Sequence, residues 1–443
     1  MLSPGKARGF IDMLARALDG LRVVEFCDEI GSYCGKLLAD LGAEVIKIEP
    51  PGGGTERHNP PFIKSVEESP DTSLAFWVHN TSKQSVVIDL ESEHGSALAR
   101  CLSLTADVLL EDYPVGHLEE RGLGYDALRT ERPSLVYSSA TGFGQNGTHP
   151  SWSYSDLIGQ AMGGVMTLAG FPEDPPHLIY GNQANVSASI HAAQGTLLAV
   201  LHAEVTGQGQ CVDTSAQEAM SISQETAMQT WDMLKTNRVR SGGRGILPLQ
   251  VPGSGIYEAA DGYVFLMVHA PAGRGLTAFV EWMAEHGMSE GLDEEPLSGV
   301  VAQLNMRTLT AMLTSGKAEE IEGMTAQFAE IDEAICEFVK TLPARIVYEE
   351  GQNRQLLIGL VSTPADLVTN PQLRARGFYQ DFDVEPGATI EFPGPPYRLS
   401  ETPALVDRPP RLGEHTSDVL TGLLGLGPDE IAALEAEGAI GPA

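Results

Sequence analysis

Between Gly20 and Glu49 the chain has little architectural freedom. LRVVEF is a short apolar run of strand length, and CDEIGSY is a loop. Cys34, Leu37, Leu38 and Leu41 then recur at the spacing of one helix face. Gly42 ends that helix, and AEVIKIE, closed by PPGGG, is a second strand. This is β-α-β, the opening unit of a doubly wound sheet. The alternation continues with strand QSVVIDL, a helix near Ser92–Leu104, strand ADVLLE, a short helix near Asp126 and strand SLVYSSA. Helices at Ser155–Leu168 and Val186–Glu204 and strand QCVDTS complete one large α/β domain.

Past residue 225 the texture changes. NRVRSGGRGILPLQVPGSG is rich in glycine and predicts irregular chain. IYEAADGYVFLMV predicts a hairpin turning at Asp261-Gly262. Leu276 to Leu342 reads mostly as helix, and EPGATIEFPGPPYRLSETPALVDRPP as an extended crossover. Helices at Thr416–Leu424 and from Gly427 close the chain, and an amphipathic helix is predicted around Phe10, Met13, Leu14 and Leu18. A length of 443 residues fits two domains.

The charge narrows the partners. Lys and Arg number 28 against 60 Asp and Glu, a net −32. Such a surface repels nucleic acid and anionic membranes, so an anionic ligand needs a locally basic or amide-lined pocket. No apolar run reaches the roughly 20 residues of a bilayer span, and the N-terminus lacks a signal-peptide pattern. Cys27, Cys34, Cys101, Cys211 and Cys336 form no CxxC pair. The expectation is buried thiols in a cytoplasmic protein.

GFGQNG, Gly142 to Gly147, satisfies G-x-G-x-x-G after a strand, yet Pro150 interrupts the helix that a dinucleotide site needs next. There is no GxSxG elbow, P-loop or HExxH, and the 11 histidines are dispersed, so no metal site is expected. Asp156, behind the capping candidate Ser155, reads either as a first-turn carboxylate favoured by the helix dipole or as a base or anchor facing a cleft. Glu173 and Asp174, in AGFPEDPPHL, are either a solvated turn or reactive groups on a fixed loop. Gly242, Gly243 and Gly245 form either a mobile lid or a linker.

From Leu18 to Ile440 the chain resembles the class III coenzyme A transferases, the CaiB/BaiF family. The likeness rests on LDGLRVVEF, LLADLGAEVIKIEPPGGGTER, NTSKQSVVIDL, ADVLLEDYPVGHLEERGLGYDAL, RPSLVYSSATGFGQNG and SDLIGQAMGGVMTLAG, then on TGQGQCVDTS, ADGYV, STPADLVTNPQLRARGFY, PPYRLSETP and PRLGEHTSDVL. The resemblance implies a large Rossmann-like, CoA-binding domain from residues 1–225 plus 400–443. It implies a smaller α+β domain at 256–345, between a linker at 226–255 and a return linker at 346–399, and an interlocked-ring homodimer. It further implies transfer of CoA from an acyl-CoA to a free carboxylic acid, with no cofactor beyond the CoA thioester substrate. An aspartate attacks the thioester, giving a mixed anhydride and then an enzyme thioester. That chemistry needs an ionised carboxylate, amides for the oxyanion, and a glycine-rich loop, here Gly242 and Gly243, to keep water off the anhydride.

Departures from the family pattern matter. The nucleophile follows the glycine of T-G-x-x-D-G-x-P by three residues. AGFPEDPP places Glu173 there by direct count from Gly170, or Asp174 if the missing glycine is a deletion; preserved residue type favours Asp174. A site with neither poised implies a non-catalytic subunit beside an active one. Asn185 stands where many members carry aspartate. In the E-N-F-R-P-G stretch this chain has Glu111 to Gly116, which loses the arginine and adds Asp112. Tyr113 and Ile88 remain as adenine contacts, and Arg121, Arg57 and Lys83 as local positive charges. The racemase branch uses a His and an Asp on 2-methylacyl-CoA. Asp156 matches its aspartate, but no histidine lies between His117 and His149.

Overall fold

The computed structural model describes residues 16–441, apart from 65–66, 244–249, 270–273, 306, 310–317 and 386–387. Phe10, Met13 and Leu14 of the expected N-terminal helix, and Gly245, lie outside the described residues. The chain divides into two compact units, one of residues 1–166, 178–229 and 371–443, the other of 167–177 and 230–370.

The first unit is built on six parallel strands. In chain order they are β1 (Arg22–Phe26), β2 (Glu44–Glu49), β3 (Gln84–Val87), β4 (Val108–Glu111), β5 (Val136–Thr141) and β6 (Cys211–Ser215). Their order across the sheet is β3-β2-β1-β4-β5-β6, the doubly wound arrangement in which strand direction of progress reverses between β1 and β4. Register is fixed by alternation along the strands. Val24 and Phe26 enter one apolar layer and Val23 the opposite one. Helices α1 (Ser32–Asp40) and, later in the chain, the long Gln183–Thr206 contribute Leu38, Ala188 and Ala192 to the second layer. Helix α2 (Glu93–Thr105), capped by the Ser92 hydroxyl on the Gly95 amide, contributes Ala99 and Leu102 to the first. Helix α3 (Asp156–Met162) is shorter than the predicted Ser155–Leu168, because Gly163 and Gly164 follow it. The long helix, α4 (Gln183–Thr206), ends at Gly207 in the left-handed conformation.

The second unit holds the predicted hairpin, β7 (Ser254–Glu258) and β8 (Tyr263–Met267), turning at Asp261-Gly262. Helices α5 (Leu276–Glu285), α6 (Ala318–Lys340) and α7 (Ala344–Asn353) follow. Strand β9 (Ile358–Leu360) pairs with β8, and Phe279, Trp282, Ile335 and Phe338 fill the core.

The described residues of 346–399, expected as linker, hold regular elements. Besides α7 and β9 they hold the hairpin β10 (Tyr379–Glu385) and β11 (Ala388–Pro393), whose Phe382 and Phe392 pack on Trp77 in the first unit. Proline and glycine at the ends of the hairpin masked its alternation. Helices α8 (Thr416–Leu424) and α9 (Pro428–Ala436) bury Val419, Leu420 and Ile431 in the first apolar layer, and Ile440 bridges Ile88. Of the cysteines only Cys27 and Cys34 are buried; Cys101 and Cys211 are exposed, on helix and edge-strand positions that do not face a layer. No helix among the described residues is long and apolar enough to cross a membrane.

Candidate active site

At the carboxyl ends of β1 and β4, where the strand order reverses, a 460 Å3 cleft opens in the first unit. This is where doubly wound sheets bind ligands. Asp28, Glu29, Lys47, Asp112, Tyr113 and Trp152 are on its wall.

Carboxylates sew this rim together, one strand to the next. On β6, Asp213 accepts the Gln145 backbone N–H at 2.9 and 3.0 Å. The Gln145 side chain donates to Ser139 at 2.6 Å and to Glu111, at the end of β4, at 3.2 Å. Asp112, the next residue, accepts backbone N–H groups from Asp28 (3.1 Å), Glu29 (2.9 Å) and Gly31 (3.0 Å) in the β1–α1 loop. Asp28 in turn accepts those of Thr55 (2.6 Å) and Glu56 (3.2 Å) after β2. Glu56 meets His79 at 2.8 Å and Asn80 at 2.9 Å, before β3.

Burial pushes the Glu111 carboxyl up to about 8, against the pull of its hydrogen bonds. Burial pushes Asp112 up to about 6, with the Gly31 and Glu29 amides and Lys47 drawing it back. A bare amide nest at the start of the first helix is what a dinucleotide phosphate needs. Here Asp112 fills it. Of the glycines of GFGQNG, Gly142 serves packing, since a side chain there would run into the Tyr154 ring, whereas Gly144 and Gly147 serve turns of positive φ.

The predicted nucleotide contacts separate. Tyr113 is on the cleft wall and stacks on His117, ring centroids 4.4 Å apart, with its hydroxyl pushed up to about 12 by burial. Arg121 is spent on Glu91 and on the His117 carbonyl at 2.9 Å, with Nε enclosed and unpartnered. Ile88 is wholly inside the core, so its side chain is not on the cleft. Arg57 is buried in a fork on Glu49 (2.6 and 2.8 Å), with Asp71 at 2.8 Å and the Phe76 ring beneath it at 3.6 Å. Lys83 is buried on Glu25 at 2.8 Å, beside the Ser32 carbonyl and Asn80. Arg57 and Lys83 are therefore internal counter-ions rather than free positive charges, a correction that follows from burial, which composition does not reveal. Lys47, bonded to Glu25 at 3.0 Å and to the Cys27 carbonyl, is the cation on the cleft wall that sequence reasoning missed.

Asp156 lies at the start of α3 and caps α4. One carboxylate oxygen accepts the Ala184 and Asn185 amides at 2.8 and 3.0 Å, and the other accepts Gln160 at 2.7 Å. Ser155 makes no side-chain cap. The anchor reading of Asp156 is the one its partners fit, because every oxygen is engaged. Asn185 accepts from the Tyr154 hydroxyl at 2.9 Å.

In the second unit the turn bearing the two acids is held from outside itself. Arg240 donates to the carbonyls of Phe171 (3.0 Å), Thr167 (3.4 Å) and Asp174 (2.6 Å). The Asp174 amide returns to the Phe171 carbonyl at 3.2 Å. Gly242 has a positive φ of 67°, and a Cβ there would stand 2.7 Å from the Phe171 ring. Gly243 accepts the Ile256 amide. Asp174 is half-buried with His177 at 3.3 Å, while Glu173 is exposed. The glycine segment and the acid turn are thus in direct contact. Arg240 is a second residue that sequence reasoning missed; it is remote in the chain from the carbonyls it binds, and no spacing marks it.

A larger cavity of 710 Å3 lies beside β3 and the β10–β11 hairpin. Asp381, Asp383, Asp407 and Glu414 on its wall give it the wrong sign for nucleotide phosphates.

Comparison with known proteins places this arrangement. A model of CoA-transferase family III matches residues 18–416. The succinyl-CoA:(R)-benzylsuccinate CoA-transferase subunit BbsE of Thauera aromatica is 34% identical over 405 residues, 90% of this chain and 92% of its own. The succinate–glutarate CoA-transferase of Agrobacterium fabrum is 29% identical over 92% of this chain and 95% of its own. The crystal structure of a CaiB/BaiF family protein from Brucella suis matches with a TM-score of 0.76 and 28% identity, over 92% of this chain and 99% of its own. The chain belongs to CoA-transferase family III, the CaiB/BaiF family, and is an enzyme of that class.

Proposed function

We propose that the protein moves CoA from an acyl-CoA donor to a free carboxylic acid through a covalent carboxylate, Asp174, with Glu173 as the competing candidate. A carboxylate oxygen attacks the thioester carbonyl, the C–S bond breaks, and CoA leaves as thiolate. The thiolate attacks the enzyme carbonyl of the mixed anhydride, frees the donor acid and leaves an enzyme thioester. The acceptor carboxylate repeats the sequence in reverse and departs as its CoA ester, restoring the free side chain. The observation that carries the choice of turn is the Arg240 clamp. It fixes the backbone of a half-exposed carboxylate with three carbonyl contacts while leaving the carboxylate oxygens to solvent and His177. A nucleophile needs that combination of fixed position and retained charge. Asp156 is spent on three donors, which counts against the racemase reading.

Relatives named for succinyl-CoA make that thioester the first donor to try. The test is to incubate the protein with succinyl-CoA and hydroxylamine and to map the modified peptide by mass. A label on Asp174, abolished by Asp174→Asn and kept by Glu173→Gln, supports the assignment. A label that Glu173→Gln removes transfers the role to Glu173, and no label within 170–183 refutes both.

A second reading rests on the subunit name of BbsE together with the lost glycine after the acids: the chain works beside a second, active subunit. Helix α4 exposes Leu198 (62%) and Val205 (79%), an apolar surface that a second chain covers. An interlocked homodimer is the first reading of that surface, and five unpaired cysteines fit a reducing cytoplasm. Light scattering of the purified chain with and without transfer activity separates the two.

A further inference from the structure

We propose that Asp112 is a positioning residue whose charge, rather than its bulk, holds the two loops that shape the cleft at the sheet's reversal point. The proposal rests on the CoA-binding reading of that cleft, but its first readout does not.

The β1–α1 loop presents three backbone donors inward, those of Asp28, Glu29 and Gly31, and all converge on one carboxylate from the end of β4. All three N–H groups meet at Asp112 Oδ2, one donor more than the two lone pairs of a neutral carbonyl oxygen serve, so the nest favours an anion. The helix that follows, α1, adds its positive N-terminal end. Gly31 provides the room: a Cβ there would strike the Cys27 sulfur and come within 3.7 Å of the Asp112 Cβ. In a nucleotide-binding loop that glycine clears space for a phosphate. Here the space goes to a side chain of the same protein.

The clamp extends one loop further. Asp28, held by Asp112 through its own amide, uses its carboxylate to hold the Thr55 and Glu56 amides. Gly54 permits that approach; the nearest atoms to a Cβ there would be those of the Asp28 carboxylate. Asp28, Glu29, Gly54 and Thr55 all line the cleft. One carboxylate therefore sets the position of both loops on that side. It also stops a ligand phosphate from using the amides, so an acyl-CoA must present other groups there.

The test uses the full chain with Asp112→Ala and Asp112→Asn, each titrated with sodium formate and, as control, sodium chloride. Formate is a carboxylate small enough for the vacated nest. For Asp112→Ala the melting temperature rises with formate and not with chloride, and the wild type shows no such difference. Asp112→Asn fills the nest with a neutral amide and stays insensitive to formate. In the transfer assay Asp112→Ala raises KM for the acyl-CoA by about tenfold or more, with kcat changed by less than about threefold, and formate reverses the KM change. A purely structural role would lower folded enzyme without moving KM. The proposal fails if Asp112→Ala melts identically in formate and chloride, or if Asp112→Asn matches wild type in both KM and melting temperature. Should Asp112→Ala not fold in buffer, refolding it in formate and in chloride is the same comparison, and equal failure in both overturns the proposal. If the wild type transfers no CoA, the KM arm falls with that reading, and the formate-dependent melting still decides the role of the charge.

Discussion

Replacing Glu111 with glutamine isolates one buried proton. Glu111 is 4% exposed at the end of β4. One of its oxygens accepts the Tyr113 amide at 2.8 Å and the other accepts Gln145 at 3.2 Å. Burial moves its carboxyl from 4.5 up to about 8. Below pH 4.5 the group is protonated in both folded and unfolded chains, and its contribution is fully present. Above that, the unfolded chain releases the proton and the folded chain keeps it, so stability falls until the folded group ionises near pH 8. Each pH unit in that window costs roughly 1.4 kcal/mol. The whole window is worth roughly 5 kcal/mol as an upper bound, and about 2–3 kcal/mol once water reaches the ionised carboxyl. Against a total stability of about 5–15 kcal/mol this is measurable. Glu111→Gln keeps the shape and the acceptance from the Tyr113 amide, leaves its NH2 for the oxygen of a turned Gln145 amide, and has no proton to lose. Urea unfolding of both proteins between about pH 5 and about pH 8, followed through Trp77 and Trp152 in the first unit, gives the difference directly. The wild type loses stability relative to Glu111→Gln as pH rises, and the gap widens up to about pH 8. Asp112, pushed up to about 6, titrates in both proteins, and once ionised its charge adds to the rise at Glu111 in the wild type alone. Parallel profiles would show that Glu111 is ionised in the folded chain at neutral pH, and the argument from burial would be wrong.

Two further perturbations test the other anchors. Arg240→Ala removes three contacts to the acid turn. It lowers kcat by about tenfold or more while the melting temperature changes little; Arg240→Lys recovers only part, because an ammonium cannot fork onto several carbonyls. An unchanged kcat in steady-state assays would remove Arg240 from the mechanism. Asp156→Ala strips the cap from α4 and costs about 1–2 kcal/mol by denaturant titration; hydroxylamine trapping at residues 170–183 persists, whereas its loss in a folded protein would return Asp156 to the chemistry.

The parts of this fold that were legible in the sequence are the local ones. The β1–α1–β2 unit could be read because its strands alternate into two apolar layers and its helix carries one apolar face. The β7–β8 hairpin could be read from Asp261-Gly262. Strand β9, three residues long, carries no period of its own and exists because β8 pairs with it. The β10–β11 hairpin was hidden by its prolines and glycines and is fixed by Trp77, far away in the chain. The site divides the same way. Glu173, Asp174, Tyr113 and Asp112 were visible as residue types in matched stretches, but what each touches was not. Asp112 and its amide donors are more than 80 residues apart, and the Arg240 guanidinium is 66 residues from the Asp174 carbonyl. Arg57 and Lys83 misled because a charge in a loop near a strand end looks the same in a sequence whether it faces a phosphate or a buried carboxylate.

That last distinction bears on how a chain of net charge −32 accepts an anionic thioester at all. Counted along the sequence, Asp28, Glu111, Asp112, Asp156 and Asp213 add to the repulsion. In the fold each of the five accepts at least one backbone N–H, and burial pushes the Glu111 carboxyl up to about 8. A carboxylate whose lone pairs face amide dipoles projects much less field than one facing solvent. On the cleft wall Asp28 and Asp112 both engage backbone amides, Lys47 is a buried counter-ion of Glu25, and Glu29 stays exposed. The excess negative charge stays on the outer surface, where salt screens it over about 8–10 Å. Association with acyl-CoA should then depend on ionic strength mainly through the outer surface: added salt speeds binding, the opposite of the slowing seen when a basic patch steers an anion inward.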